Sequence, residues 1–173
     1  FHEKKSSLYR ITTTLTNDKG ERKTEGATGQ VQGPAFKAAI PEIVDYVRLM
    51  GGDIYGDVMG RDKAFNLQML FVDESFFNIF SFKVLRGNPG TALREINSAV
   101  ITETVAKKYF NSIDVVGEIL TPIANPSTDK LKEPMIVTAV VKDPPKNSSI
   151  QFDVLFPMKF MQLSFDDKAW LNT

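Results

Sequence analysis

The sequence predicts an α+β fold, read as one domain or two small subdomains. Three observations carry this. Apolar residues alternate with the period of a strand at 65–71, 137–141 and 150–156. The helical patterns are short and bounded by prolines and capping residues. No stretch approaches the roughly 20 apolar residues that a membrane-crossing helix needs. At 173 residues, a chain can bury roughly 70% of its unfolded surface, enough for a core without metal or disulfide staples.

The elements follow in order. "LYRITTTL" at 8–15 is rich in β-branched residues and reads as a strand, closed by the turn "NDKG" at 17–20. Gly33-Pro34 opens a short helix, "PAFKAAI", with proline tolerated in the first turn and Pro41 stopping it. "EIVDYVRLM" reads as a strand with Ile43, Asp45, Val47 and Leu49 on one side, which makes strand-helix-strand the opening unit. "MGGDIYGDVMG" at 50–60 is glycine-rich and reads as a loose or bulged hairpin. "FNLQMLFVD" is a strand with Phe65, Leu67, Met69 and Phe71 on one face. In "ESFFNIFSF", Ser75 stands where it could cap a short helix, with Phe76 and Phe80 on one side. The phenylalanines there are expected to be core under that helix rather than a ligand box.

"SAVIT" at 98–102 is a strand. It leads into the helix "TETVAKKYF", with Thr102 as N-cap, Glu103 in the first turn, Val105 and Tyr109 facing inward, and Lys107 and Lys108 near the negative end of the dipole. "GEILTPIA" and "EPMIVTAVV" are strands joined through the polar turn "NPSTDKLK". In the second, Val137, Ala139 and Val141 alternate into Asp143-Pro144-Pro145. The prolines fix φ and remove two donors, so the ladder stops there. Lys142 and Asp143 read as a solvated corner. Ile150, Phe152, Val154 and Phe156 alternate in a further strand, and Pro157 starts a helix, "PMKFMQL". The residues after Pro157 suffice for a helix but not for a helix and a returning parallel strand, so the last unit reads as unfinished.

Composition excludes more chemistry than it suggests. Lysine plus arginine equals aspartate plus glutamate at 21 each, which leaves no basic footprint for nucleic acid. There is no cysteine, hence no disulfide, no thiolate nucleophile and no Cys-based zinc site. His2 is the single histidine and reads as solvated. No HExxH, GxSxG, P-loop or GxGxxG motif occurs. The carboxylates Asp143, Asp153, Asp166 and Asp167 match no calcium loop. The residues therefore predict no enzyme, with no catalytic, cofactor-binding or metal site and no cofactor.

Several stretches, taken jointly, resemble one family. They are "FHEKKSSLYRI" at 1–11, "FFNIFSFKVLRGNP" with the following "AL", "NSAVITETVAKKYF" with "VVGEIL", and "VTAVVKDPPKNSSIQFDVLF". In order and spacing they resemble the periplasmic core domain of MacB-type, FtsX-like ABC transporter permeases of the Bacteroidetes variety. Asn111 departs from the pattern, where relatives usually carry glycine.

The resemblance implies a two-lobed domain: a first porter-like strand-helix-strand unit at 1–58, an inserted mixed α/β lobe at 59–146, and the incomplete start of a second porter-like unit at 147–173. The corner at 142–147 would then mark a lobe boundary. The resemblance also implies a non-catalytic role outside the inner membrane, between two flanking membrane helices absent from this chain. There the domain would couple helix motion to substrate export or release, with no membrane insertion of its own. The implied partners are an ATP-binding cassette domain or subunit, a second permease copy and a periplasmic adaptor. The alternative is a stand-alone periplasmic binding protein for a peptide or lipid, with the phenylalanines as its pocket.

Overall fold

The computed structural model describes residues 3–123 and 133–162. Two strands, β1 (Thr13–Thr16) and β2 (Arg22–Glu25), form a hairpin of their own. Helix α1 (Gln32–Ala39) follows. The rest is a large sheet with small helices: β3 (Leu49–Gly60), β4 (Lys63–Val72), α2 (Phe76–Ile79), β5 (Val84–Gly87), β6 (Ser98–Thr102), α3 (Glu103–Phe110), β7 (Ile119–Ile123), β8 (Met135–Val141), β9 (Val154–Pro157) and α4 (Met158–Gln162). The α+β class is what the alternation and the short helices predict.

The sheet closes on itself. Its order is β5-β8-β6-β9-β4-β3-β7, and β7 also pairs with β8. Ile136 faces Ser98 of β6 on one side and Ile119 of β7 on the other. Val141 faces Thr102 of β6 and Val84 of β5. One edge of β8 is thus shared by β7 and β5, and six strands form a ring with β5 attached outside it. The closing pairs are Ile119↔Ile136 and Leu120↔Met135. Gly117 N and Val137 N add hydrogen bonds of 2.8 Å across the same junction.

Period-two side-chain geometry explains two apolar clusters. Val58, Leu67, Phe71, Ile101, Leu120, Val137, Val154 and Phe156, one or more from every ring strand, meet Val105, Ala106 and Tyr109 of α3. The opposite face supplies Leu70, Val72, Val100, Ala139, Val141 and Leu155, which pack under Phe76, Phe82, Leu93 and Phe152. Beyond that cover the outer face is open, with Tyr55, Met59, Ile119 and Ile123 exposed.

Several sequence expectations need correction. The strand read at 8–15 shrinks to Thr13–Thr16, because its partner β2 is only four residues long. Residues 42–48 form no strand. Their backbone finds side-chain partners instead of a ladder: Tyr46 N donates to Asp45 Oδ1 at 3.0 Å, Arg48 N to Asp73 Oδ2 at 2.7 Å, and the Tyr46 carbonyl accepts from Ser75 Oγ. The opening unit is therefore hairpin, helix and extended segment.

The alternation Val137, Ala139, Val141 is broken by a bulge. Ala99 pairs with Val137 but Val100 with Ala139, so Thr138 is extra and the faces swap. Its hydroxyl is held by the carbonyls of Ala92 at 2.6 Å and Ala99 at 3.2 Å. Val137 and Val140 consequently share one cluster, while Ala139 and Val141 share the other. The strand read from Ile150 begins at Val154. The corner at 142–147 lies between β8 and β9, which flank β6 in one sheet.

The readings of β4 and of the end of α3 match the structure. β4 carries Leu67 and Phe71 inward, with Phe65 and Met69 packed against the same cluster. Asn111 ends α3 in the left-handed conformation, φ 57° and ψ 24°. Glycine or asparagine is favoured there, which is why the departure at 111 costs the turn little. The turn "NPSTDKLK" between β7 and β8 falls outside the described residues.

Candidate functional site

The Asp-Pro-Pro corner is built around the start of α3. Thr102 Oγ1 accepts from Val105 N at 3.3 Å, the N-cap bond the sequence predicts. Asp143 reaches across from the corner: Thr104 N donates to its Oδ1 at 3.1 Å and Thr104 Oγ1 to its Oδ2 at 2.7 Å. Its carboxylate thus lies at the positive end of the helix dipole. Asp143 is exposed, as the solvated corner reading has it, and its carboxylate also ties the corner to the helix.

Asp153, on the other limb, accepts from Gln68 N at 2.9 Å, while its backbone N donates to the Gln68 carbonyl and its carbonyl accepts from Thr102 N. Gln151 Nε2 donates to the carbonyls of Pro145 and Ser148, both at 2.8 Å, and so braces the bend from inside. Between these limbs lies a shallow hollow lined by Gln68, Thr102, Thr104, Asp143, Gln151 and Asp153. Its carboxylates are engaged by amides and hydroxyls, and the arrangement positions backbone rather than moving protons.

The remaining sequence candidates are dispersed. The glycine-rich stretch is the first arm of a hairpin, with a bulge between Gly51 and Ile54. Gly51 has φ +108°, and a Cβ there would stand 2.7 Å from the Met69 carbonyl oxygen, so the glycine serves close strand approach. His2, Asp166 and Asp167 lie outside the described residues. Among the described residues, no group of three His, Asp or Glu side chains could hold a metal ion.

The phenylalanine-rich stretch is closed core. Phe76 is fully buried, and its ring lies 5.2 Å from those of Phe77 and Phe80, 5.3 Å from Phe82 and 6.1 Å from Phe152. Ser75 does not cap α2 with its side chain; its hydroxyl goes to the Tyr46 carbonyl.

Two groups have perturbed electrostatics: Arg48, which sequence reasoning missed, and Tyr109, which it placed inward without the bond its hydroxyl makes. The Asp73 carboxylate, hydrogen-bonded to Arg48, holds that guanidinium's pKa above its usual value. Arg48 Nη2 donates to Asp73 Oδ1 at 2.7 Å, Nε to Oδ2 at 2.9 Å, and Nη1 to the Gln30 carbonyl at 3.2 Å. Nothing in "VRLM" marks that arginine as paired across 25 positions. Burial pushes the Tyr109 hydroxyl up to about 12. It donates to the Val58 carbonyl and so joins α3 to β3.

None of the curated proteins compared with the chain matches it. Solved structures do. A domain of a permease protein from Porphyromonas gingivalis is 24% identical over 86% of this chain, with a TM-score of 0.69. The extracellular domain of the ABC-type transporter YknZ from Gram-positive bacteria is 12% identical over 89%, with a TM-score of 0.61. These likenesses show a shared fold. The chain spans 64% of the length of the first structure and 75% of the second. No helix among the described residues is long and apolar enough to cross a membrane. The MacB-like periplasmic core domain family matches residues 2–172, and the chain belongs to that family.

Proposed function

We propose that this chain is a non-catalytic, extracytoplasmic part of an ABC transporter permease. It couples motion of membrane helices to export or release of substrate on the periplasmic side of the inner membrane. The observation that carries the reading is membership of the MacB-like periplasmic core domain family across residues 2–172. The closed sheet suits the role, because packed bodies transmit hinge and shear motion as units. In the parent permease, residues 1–58 belong to the first porter-like unit, 59–146 to the inserted lobe and 147–173 to the start of a second porter-like unit. Flanking membrane helices anchor the domain. An ATP-binding cassette domain or subunit supplies hydrolysis, a second permease copy completes a dimer, and a periplasmic adaptor docks outside. The alternative, a stand-alone binding protein, relied on an open phenylalanine pocket, and those rings pack on one another instead.

The test is electron-spin distance measurement on the parent permease, assembled with its ATP-hydrolysing partner in lipid discs. A label is placed at exposed Asn147 in both copies. The expected result is a label separation that changes between ATP-bound and nucleotide-free states. A separation indifferent to nucleotide overturns the coupling role.

A further inference from the structure

The N-terminal arm, residues 3–48, meets the ring in an unusual way. Helix α1 has no buried residue, and neither it nor the β1–β2 hairpin packs extensively on a ring strand. What holds the arm is concentrated on one short stretch, Asp73 to Ser81. At the arm's beginning, Lys4 Nζ donates to the Asn78 carbonyl at 2.6 Å and Glu3 N to Ser81 Oγ at 3.2 Å. At its end, Arg48 grips Asp73 through its backbone N–H and guanidinium, and the Tyr46 carbonyl accepts from Ser75 Oγ. Both ends of the arm therefore land on the α2 segment. That segment is seated in the ring's outer cluster by Phe76, which touches Phe82 and Phe152.

We propose that Asp73–Ser81 is a latch: among the described residues, the stretch to which both ends of the arm are fastened, with Arg48–Asp73 as its principal clasp and the Gln30 Nε2–Met50 Sδ contact at 3.9 Å and the packing of Val47 as lesser attachments. The bonds are polar and charge-assisted, so they give way separately from the apolar core they sit on. Within the coupling reading above, on which this inference rests, a pull on the arm reaches the ring through α2 as well as through the backbone that continues into β3.

Amide hydrogen exchange on the chain, comparing wild type with Asp73→Asn and separately Lys4→Met, tests the latch itself. In Asp73→Asn the α1 amides should exchange about tenfold faster or more, equivalent to about 1.4 kcal/mol, while those of β6 and β8 keep their wild-type rates. Lys4→Met should have the same pattern at smaller amplitude. Equal acceleration of arm and ring, or no acceleration, overturns the latch. The spin-label measurement on the parent permease carrying Asp73→Asn then tests its use. A reduced nucleotide-driven shift supports it, and a full shift overturns it. If the wild type shows no shift, the coupling reading fails, while the exchange pattern still decides the latch.

Discussion

The arm and the ring are held by different forces. In the ring, Val58, Val72, Phe76, Val100, Val154, Leu155 and Phe156 are wholly buried. In the arm, Tyr9 and Val44 are 89% and 87% exposed, and Phe36 and Ile40 are also open to solvent. Burial of apolar area is the dominant favourable term in folding. The ring therefore has its own source of stability, whereas the arm depends on the clasp at Asp73 and a few neighbouring bonds. The contrast teaches that hydropathy alone does not assign a residue to a core. Phe36 and Phe76 look alike in the sequence, and only the closed sheet separates them.

The sharpest way to break that comparison is to truncate both. Phe76→Ala should cost about 3–5 kcal/mol in urea unfolding, since it empties a fully packed site. A loss below 1 kcal/mol would mean that the outer cluster is not core.

Next is pH. Tyr109 keeps its proton in the folded state up to about 12, against about 10 unfolded. Its contribution is whole below pH 10 and falls as pH rises from 10 to 12, by up to about 2–3 kcal/mol. Tyr109→Phe should flatten that fall relative to wild type, at a cost of about 1 kcal/mol at neutral pH for the lost hydrogen bond. Parallel stability curves for the two proteins would refute the burial of the hydroxyl.

Smaller effects sharpen the reading of the corner. Thr102→Ala should lose about 1 kcal/mol as a helix cap, and Asp143→Ala about 0.5 kcal/mol at low salt. The two share one helix end, so the double variant should depart from additivity. Strict additivity would show that the corner and the cap act independently. The smallest effect belongs to the arm: Phe36→Ala should change global unfolding by less than about 0.5 kcal/mol.

Much of the fold was legible from local pattern. β4 and β6 announced themselves through alternation or dense β-branching, and α3 through Thr102, Glu103 and its inward Val105 and Tyr109. The resemblance to a permease family rested on the same stretches. What stayed hidden was non-local. Ring closure depends on β7 meeting β8 while β8 also serves β5, which no single window contains. The segment 42–48 has strand-like residues, but its backbone groups are taken by Asp45, Asp73 and Ser75. The Thr138 bulge inverted the faces of β8 because Thr138 finds two carbonyls, a fact of neighbours rather than of spacing. The role of Asp143 was missed for the same reason: its helix lies 39 positions earlier in the chain.

Closure of the sheet has one more consequence. A hoop offers no terminal strand to peel, so a sideways tug is shared around its circumference instead of unzipping one rung after another. Among the described strands, free margins remain at β5 outside the hoop, at the β1–β2 hairpin, and along the part of β3 before Asp57, which β7 does not reach. That geometry limits unwanted strand-to-strand adhesion to those few margins.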